Sequence, residues 1–156
     1  MLYTFGYEGL AIDQYIARLQ QVGVKTIVDV RQLPLSRKRG FSKRSFSEAL
    51  EKSGIAYLHS PTLGCPKAIR DAYKVSRDWD QYTTAFMAYL RTQDASIREL
   101  AKISRATNAC LVCFEADFNF CHRTFVARAA HQHGASTVAH ITAQTVTADS
   151  RLRVAA

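Results

Sequence analysis

Five short apolar runs, at residues 2–5, 26–30, 55–59, 110–114 and 137–141, are separated by stretches of helical period, and this alternation constrains the fold more than any other feature. Thr26-Ile27-Val28-Asp29-Val30 is nearly continuous in β-branched residues, as a strand covered on both faces requires. Between the runs, Ile12, Tyr15, Ile16, Leu19 and Val22 recur at helical spacing and Gly23 supplies a stop. Ser45 with Glu48 forms a capping-box pattern for a second helix that Gly54 closes. Trp79, Tyr82, Phe86, Tyr89 and Leu90 mark a third helix, read as core, and Ile97, Leu100 and Ala101 a fourth. Phe125, Val126, Ala129, Ala130 and His133 mark a fifth, ending at Gly134. Strands alternating with helices imply right-handed crossovers. The expected fold is therefore α/β: a single domain over residues 1–156, with a mostly parallel sheet of about five strands flanked by helices. Residues 142–156 read as a loosely ordered tail.

In open parallel sheets, ligands bind at the carboxyl ends of the strands. Gly6-Tyr7-Glu8 follows the first run, Asp29-Val30-Arg31 closes the second, and His59 ends the third. Cys113 and Glu115 end the fourth, and His140 the fifth. These segments should converge on one edge.

Residues 113–123 are the most informative stretch. Cys113 and Glu115 are two apart and share a face as the strand leaves the sheet. Asn119 is placed to cap the next helix, which puts Cys121, His122 and Arg123 in its first turn. Free N–H groups there attract anions and depress a thiol's pKa. His122, in step with Val126, should point inward. The functional reading is an anion or nucleotide pocket with Glu115 as acid/base and Cys121 or His122 as the reactive group. A buried cysteine pair beside an ordinary capped helix would use the same residues. A zinc site drawing on Cys110, Cys113, Cys121 and His122 is disfavoured, because Cys110 and Cys113 are three apart in a strand and face opposite sides of the sheet. No metal and no cofactor is expected.

From 31 to 44 the chain carries six basic residues and no acidic one. Arg31, Ser36 and Arg37 are candidates to hold phosphate, Phe41 to stack on a base or lie on the core, and Asp29 to orient Arg31 or act as a base. A solvated basic loop over a structural Asp–Arg pair is the competing account. In Gly6-Tyr7-Glu8-Gly9, Gly6 permits close backbone approach and Tyr7 offers a hydroxyl, yet the third glycine of a dinucleotide fingerprint is absent. His59 and His140 rank second.

A formal net charge of +8 favours polyanionic partners. No apolar run reaches the roughly 20 residues a membrane-spanning helix needs, and no secretory signal opens the sequence. The expectation is a cytoplasmic protein with no membrane partner, whose four cysteines, at 65, 110, 113 and 121, are core residues, ligands or reactive thiols, with the redox state of Cys113 and Cys121 not specified by the sequence.

Taken in order, the segments resemble the domain of unknown function 488 family. The matching pieces are Thr4-Phe5-Gly6-Tyr7-Glu8-Gly9, then Asp29-Val30-Arg31 with Pro34, Ser36 and Phe41. They continue with Gly54-Ile55, Tyr57, His59 and Leu63-Gly64, then Cys113 with Glu115, Cys121-His122-Arg123 and His140-Ile141. The resemblance runs from residue 4 to about 141. Cys65 departs from it where the family often has a second glycine. It implies a compact α/β domain and names no reaction.

The first functional expectation is an enzyme acting on a nucleotide, nucleic acid or other phosphorylated substrate. Glu115 and Asp29 would be acid/base groups and Cys121 a nucleophile or redox thiol, with Arg31 and Arg123 on phosphate. The alternative is a non-catalytic nucleic-acid-binding or adaptor module. Rhodanese-like sulfur transfer ranks below both, because neither Cys113 nor Cys121 is followed by a glycine-bearing loop of backbone N–H groups. Substrate, reaction and oligomeric state are not specified by the sequence.

Overall fold

The computed structural model describes residues 1–152, and everything below refers to them. Six strands form one sheet: β1 (Leu2–Gly6), β2 (Thr26–Asp29), β3 (Ala56–His59), β4 (Ala109–Cys113), β5 (Val138–Ile141) and β6 (Val146–Ala148). Their spatial order is β3-β2-β4-β1-β5-β6, parallel throughout except for the antiparallel β5–β6 pair. The helices are α1 (Ile12–Val22), α2 (Lys43–Lys52), α3 (Lys67–Ser76), α4 (Trp79–Leu90), α5 (Asp94–Ala106) and α6 (His122–Gln132). None is long and apolar enough to cross a membrane.

Period-two alternation sorts each strand between two cores. Tyr3, Phe5, Ile27, Cys110, Val112 and Ile141 meet Tyr15, Leu19, Phe46 and Leu50 of α1 and α2. Leu2, Val28, Leu111 and Val138 meet Phe86, Leu100, Val126 and Ala130 of α4, α5 and α6. Cys113, two beyond Leu111, therefore projects to the α3–α6 side and Cys110 to the other, as strand spacing requires. At the carboxyl edge β1 and β4 are neighbours whose chains leave in opposite directions, towards β2 and β5. Such a reversal opens a crevice between strand ends.

Four local expectations are corrected. The sheet has six strands rather than about five. The tail, expected to be loose from residue 142, forms β6 and a 3-10 turn at Ser150–Leu152, with Asp149 buried against Arg128 and His140; residues 153–156 lie outside the described ones. Helix α2 begins two residues before Ser45, at Lys43, so Ser45 cannot cap it; its hydroxyl donates to the Ser42 carbonyl. Asn119 does not cap α6, because the chain first makes a 3-10 turn at Phe118–Phe120 that Asp117 caps, leaving Cys121 at the α6 N-cap.

Candidate active site

A cleft of about 360 Å³ opens on the α3–α6 side of the carboxyl edge. Its floor is Cys113 from the end of β4, Glu115 two residues on, and Cys121 and His122 from the start of α6. Cys113 Sγ donates to Glu115 Oε2 at 3.2 Å, and Cys121 Sγ lies 3.3 Å from the same oxygen. His122 Nδ1 is 3.7 Å from Cys113 Sγ and 3.8 Å from Cys121 Sγ. Its Nε2 stands 2.8 Å from the Val30 carbonyl, which fixes Nε2 as the donor and turns Nδ1 to the sulfurs. The expected inward turn of His122 is present, and the ring is buried.

Burial would push the Cys121 thiol up, but hydrogen bonding from Cys113, the Arg123 charge and His122 outweigh it and hold the pKa well below the ordinary thiol value. Burial also acts to lower His122, yet the Cys121 sulfur raises it above the usual imidazole value. Together they favour a thiolate–imidazolium pair. Cys113 goes the other way: its hydrogen bond with Cys121, then burial, push it up and keep it a thiol. Glu115 is raised by burial first and by the Cys121 sulfur second, so it holds a proton more tightly than an exposed carboxylate.

Three residues fix the Glu115 turn without facing a ligand. A Cβ on Gly6 would lie 1.8 Å from the Glu115 carbonyl oxygen, so only glycine lets the two backbones approach. Glu8 accepts from the Ala116 N–H at 3.2 Å. Arg123 donates to the Glu115 carbonyl at 2.6 Å and towards that of Ala116 at 3.4 Å. Arg123 is 0 % exposed and outside the cleft lining, which overturns its expected role on phosphate.

The Asp29–Arg31 pair is corrected in the same way. Asp29 and the Arg31 guanidinium sit among the α1–α2 core, with bonds of 2.9 Å from Nε to Oδ1 and 2.7 Å from Nη2 to Oδ2. Arg31 Nη1 is shared by the Tyr7 hydroxyl and the Phe41 carbonyl, and Tyr57 donates to Asp29 at 2.6 Å. Burial opposes the Arg31 charge, but Asp29 outweighs it and raises the pKa. Arg31 touches the cleft wall, yet its donors are taken; neither residue is placed as a base or a phosphate clamp. Tyr7 stacks on Phe41 at 4.3 Å, putting that ring in the core rather than on a base. His59 bonds the Arg31 carbonyl, Ser36 ties the 36–42 turn, and Arg37 is exposed; none of them lines the cleft. His140 lies between Thr4 and Asp149, away from the cleft.

The structure adds residues that sequence reasoning passed over. Arg70, Lys74 and Arg77 line the cleft from α3 and its C-cap. Their signal was available: 67, 70, 74 and 77 are all basic and recur at helical spacing. Trp79 and Tyr82, expected as pure core, form an aromatic wall, stacked at 4.7 Å. Phe120 packs on Trp79 at 5.4 Å while staying 53 % exposed, and Phe114 is 46 % exposed. Cys65, held where a Cβ on Gly64 would collide with the Gln32 backbone, also faces the cleft, and burial pushes its thiol up to about 11.

The sequence model of a family described as "Domain of unknown function DUF488" matches residues 11–130, within the stretch from 4 to about 141 that carries the resemblance. No curated protein matches this chain. Among solved structures, the crystal structure of a "Putative phosphatase (DUF442)" from Shewanella putrefaciens CN-32 is similar at a TM-score of 0.42 and 11% identity, covering 83% of this chain and 62% of that one. At that TM-score the likeness carries no argument about function.

Proposed function

This chain belongs to the DUF488 family, whose description assigns no reaction, and from that premise we propose an enzyme that acts on a nucleotide or another phosphorylated, ring-bearing compound in the α3–α6 cleft. The observation that carries the reading is the pairing of ring-stacking and anion-holding groups around one reactive floor. Phe114 and Phe120 are the exposed phenylalanines of the chain, and both line this cleft, as does the 62 % exposed Leu33. Leaving such rings in water costs free energy that a stacked base would recover, about 1–3 kcal/mol per base. In the same cleft Lys74 and Arg77 supply positive charge for phosphate, beside an Arg70 guanidinium that is held by the Cys65 carbonyl and Gln32. Glu115 serves as proton donor and acceptor, since burial and the Cys121 sulfur raise its pKa above the ordinary carboxylate value and its Oε2 stands at the cleft floor. The Cys121–His122 pair is the electron-rich group at the reacting centre.

Trp79 is the chain's single tryptophan and lies in the cleft wall, so its fluorescence reports occupancy directly. Nucleotides and short oligonucleotides are expected to quench it saturably, and Glu115→Gln to keep the quench while losing turnover. Binding and biological function intact in Glu115→Gln would favour the non-catalytic module instead. No quench by any nucleotide or phosphorylated ring compound at millimolar concentration would end the reading.

A further inference from the structure

We infer that the cleft floor is a zinc site, with Zn²⁺ held by Cys113 Sγ, Cys121 Sγ and His122 Nδ1 and its fourth position open to the cleft beside Glu115. The three donor atoms lie within 4.8 Å of one another, with the imidazole nitrogen 3.7 and 3.8 Å from the sulfurs. With zinc bonds of about 2.3 Å to sulfur and 2.0–2.1 Å to nitrogen, tetrahedral angles place sulfur and nitrogen about 3.6 Å apart. The imidazole nitrogen therefore stands close to ligating distance from both sulfurs. Their arrangement has a physical origin: strand alternation sends Cys113 to this face, and the α6 N-terminus brings Cys121 and His122 up to it.

The surroundings fit the ion as well. The Val30 carbonyl at 2.8 Å accepts from His122 Nε2, the outer hydrogen bond that orients a metal-binding histidine and presents Nδ1. Two thiolates and the Glu115 carboxylate carry three negative charges; Zn²⁺ and the buried Arg123 beside Cys121 carry three positive ones. A soft thiolate and imidazole donor set selects zinc over magnesium or calcium. Cys110, the fourth ligand weighed from sequence, is on the opposite face of the sheet and is not needed. Three protein ligands with an open position are the pattern of catalytic rather than structural zinc. Here the ligands line the cleft, so a water in the open position would face any bound compound.

The test is the metal content of the full chain purified under reducing conditions, by inductively coupled plasma mass spectrometry, with Co²⁺ substitution read by absorption. About one zinc per chain is expected. The cobalt form should show thiolate-to-metal charge transfer and the strong visible bands of tetrahedral Co²⁺. Cys113→Ala, Cys121→Ala and His122→Gln should each lose the zinc, and Cys110→Ala should keep it. Should a variant fail to fold, the cobalt spectrum of the unaltered protein decides alone. Metal-free protein whose spectrum is unchanged by micromolar Co²⁺ would overturn the inference. So would zinc retained by the Cys113→Ala/Cys121→Ala double variant, or a Cys113–Cys121 disulfide in the reduced preparation. No nucleotide enters these measurements, so their failure and that of the proposed substrate class are separate results.

Discussion

Arg31 follows the end of β2 and Arg123 lies in the first turn of α6, both places where anions are commonly met, yet both guanidinium groups are committed to the protein itself. Arg31 is locked to Asp29 in the α1–α2 core, and Arg123 spans the carbonyls of Glu115 and Ala116. Arg31→Met is expected to destabilise the chain by about 3–5 kcal/mol, because it leaves the Asp29 carboxylate buried with only Tyr57 and backbone partners. Urea denaturation reads this, and a loss under about 1 kcal/mol would show the pair to be far better solvated than its geometry indicates. Cys113, Glu115, Cys121 and His122 were legible in the sequence because two periods fix where side chains point: two along a strand, and 3.6 along a helix. The roles of Arg31, Arg123 and Tyr7 were not legible. Position in the chain put them at the right edge, but only the fold determines which acceptors have already taken their donors.

At the scale of elements, the strands and the helices with buried faces could be read from pattern, and α3 could not. No α3 residue is fully buried; Ile69 and Tyr73 lean on the core, and Lys67, Arg70, Asp71 and Lys74 share the rest with Ala68, Ala72, Val75 and Ser76. Its apolar stripe is short, Ile69 and Tyr73, and no side chain caps its start at Pro66, so only the basic spacing separated the segment from the loop before Trp79. Lys74 and Arg77 are exposed and line the cleft, which leaves their charge available to a ligand. Lys74→Ala/Arg77→Ala should therefore shift the thermal midpoint little, exposed substitutions being worth within about 0.5 kcal/mol each. The slope of log affinity for a short oligonucleotide against log salt should fall by about two, one for each phosphate contact removed. A slope left unchanged in the Trp79 titration would move the anion off α3.

For the molecule as a whole, the carboxyl-terminal margin of the sheet depends on one buried polar knot. His140 has Nε2 3.1 Å from Asp149 Oδ2 and Nδ1 2.8 Å from the Thr4 hydroxyl, while Arg128 holds Asp149 at 2.7 Å. Burial, ahead of the opposing pull of Asp149, keeps the His140 pKa below its ordinary value, so the folded chain holds the ring neutral. Unfolded histidine titrates near about 6.5; below that the unfolded state binds the extra proton, and stability falls as pH falls towards the lower folded value. Asp149 extends the loss. Burial would raise its pKa, but Arg128, the Arg151 amide and His140 hold it below usual, so its contribution is present above about 3.9 and disappears as pH drops further. Between about pH 7 and pH 5 the urea midpoint of the unaltered chain should fall relative to that of His140→Asn, a comparison that cancels the opposite-signed contributions of His122 and Glu115; parallel pH profiles in the two would refute the account. Once acid loosens the knot, the three exposed residues of β6 are kept on β5 only by their ladder and the Thr142–Thr145 turn, with no buried side chain to anchor them. The fully buried backbone of β5 would then present an unpaired ladder of amides and carbonyls, a template for a second molecule. Acidified solutions of this protein should turn turbid in a concentration-dependent way, by edge-to-edge stacking that begins at β5.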